Sequence, residues 1–288
     1  MKIIFSESSN LNNSVYGNCQ APIKMFLENS VLKNLFLMGS SKNYGDVMTT
    51  LTAMSGFEPV GENGAYPLDG MQEGYQKFLK YQTWKDSFSV SKEMIEDGKL
   101  LDMRKQPAAF MTSYKRTREL FGAALYGAAM MGNGSVTFKG VKFDLTGADG
   151  SNLFAKEHVP KVSGDKQCNC FKDAFSVDTL GKLETKMHLF RGDNDEILDV
   201  APDTILIPEN ADLKKAVFAA IGADKDPVSA NNAFNYQYGR WNVIVWPYLN
   251  HYITNGVSPW VLLDSKYNET YGGAVWNDRI QLEARSTI

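Results

Sequence analysis

Residues 107–131 read PAAFMTSYKRTRELFGAALYGAAMM. Phe110, Met111, Tyr114, Leu120, Phe121, Ala124, Leu125 and Ala128 recur at the spacing of one helix face. Lys115, Arg116 and Arg118 fall on the opposite face, and a solvated surface is the commonest use of such charges. Pro107 suits the first turn, where its missing N–H has no helical partner anyway. Gly132-Asn133-Gly134 supplies the stop. At 1.5 Å per residue this helix is roughly 36 Å long, enough to run the length of a domain like a spine.

Upstream, residues 57–90 behave differently. Pro59, Gly61, Asn63-Gly64, Pro67 and Gly70 punctuate the first half. From Tyr75 to Val90, Phe78, Gln82, Trp84, Phe88 and Val90 share one parity, and Leu79, Tyr81 and Thr83 share the other. Lys77, Lys80 and Lys85 are interspersed. Aromatics and charges at period two predict extended strand, too polar on both faces for a core. A projecting hairpin arm fits, and its aromatics need a partner surface. Further upstream, residues 1–20 are rich in Ser and Asn and read as an arm. Ile23, Phe26, Leu27, Val31, Leu32, Leu35 and Phe36 predict a helix over about 21–37. A second short helix is expected over Asp46–Met54, stopped by Gly56.

Downstream, residues 135–145 alternate as a hairpin turning at Lys139-Gly140, and a loop follows to about Ala174. Ser176 or Asp178 caps a helix that turns Leu180, Leu183, Met187 and Phe190 inward. Thr204–Ile207 predicts a short buried strand between Pro202 and Pro208. Asn210 or Asp212 then caps a helix with Leu213, Val217 and Ile221 inward. Arg240–Trp246 and Trp260–Leu263 read as strands, and Ala274–Ile288 alternates as a last one. No βαβαβ alternation is long enough for a doubly wound sheet.

Composition narrows the function. Thirty basic and 33 acidic residues leave a net charge of −3, so no basic excess advertises nucleic-acid binding. A mild acidic balance suits a protein that lives near DNA without gripping it. Three cysteines, Cys19, Cys168 and Cys170, argue against a secreted disulfide framework and for a reducing compartment. The N-terminus lacks the apolar length of a signal peptide, and no window approaches the roughly 18 apolar residues of a membrane span.

Catalytic and metal motifs are missing. His158, Cys168, Cys170 and His188 do not match zinc spacing, which places roughly two to four residues between paired cysteines, whereas one lies between Cys168 and Cys170. Asp193, Asn194, Asp195 and Glu196 lack the later Glu of a calcium loop. No G-x-S-x-G, H-E-x-x-H or P-loop sequence occurs. Tyr236, Tyr238, Trp241, Trp246 and Tyr248 suit either a sugar site or the packing of a sheet on a helix; the second use is commoner.

The order of motifs resembles the major capsid proteins of tailed bacteriophages, the Hong Kong phage type of fold. Phe88-Ser89-Val90-Ser91, then Glu93 and Asp97-Gly98, looks like that family's hairpin exit into its spine helix, and residues 108–131 look like the helix. Asp149-Gly150-Ser151-Asn152-Leu153-Phe154, with His158 four residues on, looks like its loop motif. Thr204-Ile205-Leu206-Ile207-Pro208 and Trp260-Val261-Leu262-Leu263-Asp264 look like two of its strands. The likeness spans roughly residues 20–288.

The resemblance implies an α+β fold. It implies an N-terminal arm (1–56), an extended hairpin arm or E-loop (57–90), and a peripheral domain (91–144 and 266–288) holding the spine helix 107–131. An axial domain (145–265) completes it. The implied role is structural: a non-enzymatic subunit forming hexamers and pentamers of an icosahedral head around double-stranded DNA, with no cofactor, metal or membrane. Its partners would be further copies of itself, a portal, decoration proteins, and packaged DNA without sequence-specific contact. Some members carry a long N-terminal scaffolding segment; with only residues 1–56 before the arm and Met1 at the start, a separate scaffolding protein is expected. The location is the virion, after assembly in the host bacterial cytoplasm. Phe78, Tyr81, Trp84, Lys77, Lys80 and Lys85 are the candidate arm interface. Burying the three aromatics on a neighbour at about 25 cal/mol per Å² gives several kcal/mol per arm. Lys115, Arg116 and Arg118 are a candidate basic face for a neighbour's acidic arm. An encapsulin-like nanocompartment shell and a soluble carbohydrate-binding protein are the alternatives.

Overall fold

Short apolar strands and two capped helices bring most of the buried side chains together in the second half of the chain. The computed structural model describes residues 30–51, 54, 57–68, 70–89, 91, 93, 96–97, 100–162, 164–192, 195–224, 234–280 and 282. The expected N-terminal arm over 1–20, and the expected helix as far as residue 29, lie outside these. Within the described part of that range only one helical turn, α1 (Leu32–Leu35), is present, with Leu32 and Leu35 buried. Phe36 adopts extended backbone and ends it.

Strand β1 (Leu37–Ser40) then pairs in parallel with β9 (Val275–Asp278), Leu37 opposite Val275 and Ser40 opposite Asp278. Of the strand expected over Ala274–Ile288, residues 275–278 are strand, Arg279 and Ile280 leave it, and 281 and 283–288 lie outside the described residues. Residues 46–54, expected as a helix, instead give strand β2 (Gly45–Leu51), antiparallel to β3 (Glu73–Lys80). Val47, Thr49 and Thr50 are β-branched, stiff at χ1, and fit a pleated surface better than a helix turn. The extended run expected through Val90 keeps its ladder only to Lys80.

The long helix, α2, spans Leu100–Met130, about 46 Å, and so begins a full two turns before Pro107. Pro107 is a buried interior residue, not a first-turn one. Residues 100–105, LLDMRK, are good helix formers that carry the helix upstream of the proline. At the other end Gly132 takes a positive φ, its N–H bonds to the Ala129 carbonyl, and the Asn133 N–H bonds to the Ala128 carbonyl. This is the paired C-terminal cap that glycine favours. Ala123, Ala124, Ala128 and Ala129 are buried near this end. A Cβ on Gly127 would sit 2.7 Å from the Tyr252 Cβ, so only glycine admits the turn Pro247–His251 so close.

Strands β4 (Ser135–Phe138) and β5 (Val141–Asp144) form the predicted hairpin. Lys139 and Gly140 both have positive φ, the backbone of the two-residue turn whose twist matches the strands. After an irregular stretch, α3 (Val177–His188) starts at Ser176, which shares a reciprocal cap with Thr179. Strand β6 (Thr204–Ile207) leads into α4 (Ala211–Ile221), capped by Asn210, and then β7 (Asn242–Val245). Strand β8 (Val261–Leu263) and α5 (Ser265–Tyr271) follow. The sheet order is β7-β6-β8, with β7 parallel and β8 antiparallel to a fully buried β6. Leu180, Ile205, Ile207, Leu213, Val217, Ala220 and Ile221 form one buried cluster around it.

The chain divides into two units. One holds the described residues up to Tyr44, Tyr81–Gly122 and those from Ala274 on; the other holds Gly45–Lys80 and Ala123–Gly273.

Candidate assembly surfaces

The β2–β3 hairpin has two unlike faces. On one, Val47 stands opposite Phe78, Thr49 opposite Gln76 and Gly45 opposite Lys80. Val47 and Phe78 are more than half exposed, and so is Leu51. Beyond the ladder the chain carries Met54, Phe57, Val60, Tyr66, Leu68 and Met71, all exposed, with Phe57 and Leu68 wholly so. Single exposed apolar residues are ordinary, but a concentration like this marks a surface that something covers.

The opposite face is engaged within its own unit. Lys77 donates to the Asp144 carboxylate at 3.0 Å, to the Thr146 carbonyl, and to the Thr146 hydroxyl at 3.3 Å. Asp144 is partly desolvated, which favours its neutral form. Hydrogen bonds from Thr146 and Lys77 outweigh that and hold its pKa below the ordinary value.

The six residues expected to form one arm surface are divided between the two units. Lys77 is tied down, whereas Phe78 and Lys80 lie exposed on the outer face. Tyr81, Trp84 and Lys85 follow the ladder and belong to the other unit. There Trp84 packs on Phe121 of α2 with ring centroids 5.9 Å apart, and Phe88 packs on Phe110 at 5.3 Å. Trp84 therefore spends part of its aromatic surface on its own chain.

The basic face of α2 is also divided. Arg116 is exposed and Lys115 half-buried. Arg118 turns inward: its guanidinium donates to both Asp278 oxygens at 2.9 Å and lies 5.0 Å from the Trp276 ring centroid. It also donates to the Tyr114 hydroxyl at 3.1 Å. Burial works against its charge, but the bonds to Asp278 and the attraction to Tyr114 prevail and raise its pKa. Trp276 is packed edge-on by both Phe36 and Phe121 at 5.5 Å.

The remaining sequence candidates go separate ways. His158 lies between Asp149 and Asn169, at 2.8 and 3.1 Å. His188 faces Asp199 at 3.5 Å, and the Cys168 thiol donates to the Cys170 carbonyl at 3.2 Å. Among the described residues no group of three or more His, Cys, Asp or Glu is placed to hold a metal. Trp246 is buried, while Tyr236 and Tyr238 are exposed. Trp241 donates to Gln237, which in turn donates to Glu184 at 2.8 Å, and Arg240 closes on Glu184 at 2.5 Å. No helix among the described residues is long and apolar enough to cross a membrane.

The exposed apolar side chains of the hairpin are the most prominent surface feature among the described residues, and comparison with known proteins gives it a context. The family model described as phage capsid protein matches residues 75–287. The chain belongs to the phage capsid protein family. Two solved structures share its fold. One is the bacteriophage JBD30 capsid, at 13% identity and TM-score 0.52; the other is the JBD30 capsid decorated with minor capsid protein trimers, at 13% and 0.50. Each alignment covers 77% of this chain and 91% of the other. No curated protein sequence matches the chain. The mixed helix and strand architecture is thus a phage capsid fold, and family membership makes the chain a capsid protein, a structural component of the virion. Neither the nanocompartment nor the carbohydrate-binding alternative is favoured by these matches.

Proposed function

We propose that this capsid protein closes into an icosahedral head of hexamers and pentamers around double-stranded DNA, using its β2–β3 hairpin as the arm that reaches a neighbour. The observation that carries the proposal is the run of exposed apolar side chains from Val47 through Phe57, Tyr66 and Leu68 to Phe78. In this reading the hairpin and the residues between its strands are the E-loop. Helix α2 is the spine of the peripheral domain, and the sheet β7-β6-β8 with α3 and α4 belongs to the axial domain. Phe78 and Lys80 meet the neighbouring subunit, and Arg116 with Lys115 offers positive charge to it. The protein works without catalysis. Assembly takes place in the host bacterial cytoplasm with a separate scaffolding protein and a portal, and decoration proteins bind the finished shell.

Weak contacts suffice for such a structure, because each subunit in a closed shell is held by several neighbours at once. The direct test replaces residues 54–71 with a short Asn-Gly turn, a sequence suited to a two-residue hairpin connection. The expected product is a folded subunit, by circular dichroism, that yields no uniform particles by light scattering and negative-stain imaging when co-expressed with its scaffold. Normal particles from that variant would overturn the role given to the hairpin.

A further inference from the structure

A two-stranded hairpin is marginally stable alone, so its direction must come from contacts with the body that carries it. Those contacts converge on one loop. From the hairpin, Lys77 reaches Asp144 and both oxygens of Thr146. From the loop, Lys161 reaches back and donates to the Gly74 carbonyl at 2.6 Å and the Glu73 carbonyl at 3.4 Å. The same ammonium lies 5.9 Å from the Tyr75 ring centroid, and the Tyr75 hydroxyl donates to the Val159 carbonyl at 3.2 Å. Strand β3 is thus gripped at residues 73–75 by one end of the loop and at Lys77 by the other. Charge-assisted bonds of this kind are the stronger ones, and carbonyl acceptors read the backbone whatever side chains it carries.

The loop is itself fastened. His158 and Gln167 exchange backbone hydrogen bonds at 2.7 and 3.0 Å. The His158 ring faces the Asp149 carboxylate with Nδ1 and the Asn169 side-chain oxygen with Nε2. Asn169 cannot reverse this, because its Oδ1 accepts from the Ala155 N–H at 2.8 Å and its Nδ2 donates to the Leu153 carbonyl at 2.9 Å. Both ring nitrogens therefore face acceptors, and only the doubly protonated imidazole donates to both. The other charges flanking this bridge, Glu157 and Lys166, pair with each other at 2.8 Å.

We propose that residues 144–161 form a clamp that sets the direction of the hairpin, with Lys77 and Lys161 as positioning residues and His158 as the fastener. The proposal rests on the reading of the hairpin as an assembly arm. It makes Lys77 and Lys161 devices for aiming the arm. Without the two bonds of the His158 ring the loop would loosen under Val159 and Lys161.

Hydrogen-exchange mass spectrometry on the full chain tests the clamp, with particle imaging beside it. Lys161→Ala is expected to speed exchange over residues 73–80 roughly tenfold while the β6 and α4 core keeps its protection, and to broaden the particle diameters. Lys161→Arg, which still donates to carbonyls, should restore both. His158→Ala, which bonds neither Asp149 nor Asn169, should likewise speed exchange over 73–80. Unchanged exchange in Lys161→Ala, or in His158→Ala, overturns the clamp. Faster exchange with particles of normal yield and diameter leaves the clamp standing and overturns the arm as the assembly element.

Discussion

Arg118 on α2 and Asp278 on β9, 160 residues apart in sequence, form a two-point ion pair in which each carboxylate oxygen receives its own N–H at 2.9 Å. The pair fastens the parallel strand β9 to the long helix, and Trp276 roofs it. The arginine side chain is only 15% exposed, so removing its partner strands a charge away from water. Asp278→Ala is expected to lower stability by about 2–3 kcal/mol in urea denaturation. Arg118→Lys should recover only part of a loss at the other end, because an ammonium cannot match both oxygens. A loss below 0.5 kcal/mol, roughly that of a surface pair, would show the bond to be ornamental.

Glu184 and Gln237 support a second prediction. The glutamine is fully buried, and its amide donates to Glu184 while its oxygen accepts from Trp241. Glu184→Ala leaves a buried donor without a partner, at about 2 kcal/mol. Glu184→Gln keeps an acceptor there and should cost less. Thermal melts of the two variants decide it: equal midpoints would mean that the network does not carry the fold.

How much of this was legible in the sequence depended on the range of the interaction. Local signals read correctly: the Ser176 and Asn210 caps, the Lys139-Gly140 turn and the buried strand at 204–207 all follow from neighbours a few residues apart. Residues 46–54 misled because Asp46, Met48 and Leu51 allow a helical pattern, and only the ladder with 73–80 selects the strand. Pro107 misled because a first-turn rule says nothing about a helix that continues upstream of it. Among the interface candidates, the exposure of Phe78 follows from alternation. Arg118 looked solvated because its acceptor, Asp278, lies far along the chain, and the partners of Lys77, Asp144 and Thr146, are as little visible from its neighbours. Asn169, which orients His158, carried no signal at all.

Acid should weaken the fold through particular carboxylates. Asp203 is partly desolvated, which favours protonation, but bonds from Ser265 and Thr204 outweigh this and lower its pKa. Asp149 is lowered too, against its own desolvation, by His158 and Ser151. A carboxylate with a folded pKa below its unfolded one binds protons more readily in the unfolded chain. Its contribution is therefore complete above the unfolded pKa and drains away as pH falls through the folded one. Urea midpoints should fall as pH drops below about 4, the ordinary carboxylate range, and less steeply for Asp203→Asn. Parallel profiles for variant and wild type would remove Asp203 from the account.

The outer face of the hairpin gives the sharpest separation of assembly from folding. Val47 and Phe78 are cross-strand partners, 59% and 56% exposed, so they contribute little to the isolated subunit. Val47→Thr with Phe78→Ser should shift stability by less than about 0.5 kcal/mol, as surface substitutions do. If the hairpin is the proposed arm, a neighbour covers these two side chains in a shell, and at about 25 cal/mol per Å² their burial contributes roughly 2–3 kcal/mol to each contact. Every subunit would make that contact, so the loss would not be diluted by the rest of the particle. The concentration at which particles first appear in light scattering should rise more than tenfold, since about 1.4 kcal/mol already gives one factor of ten. A double variant that melts like the wild type and assembles at the same concentration would place the neighbour's contact elsewhere on the arm, on the residues between the two strands.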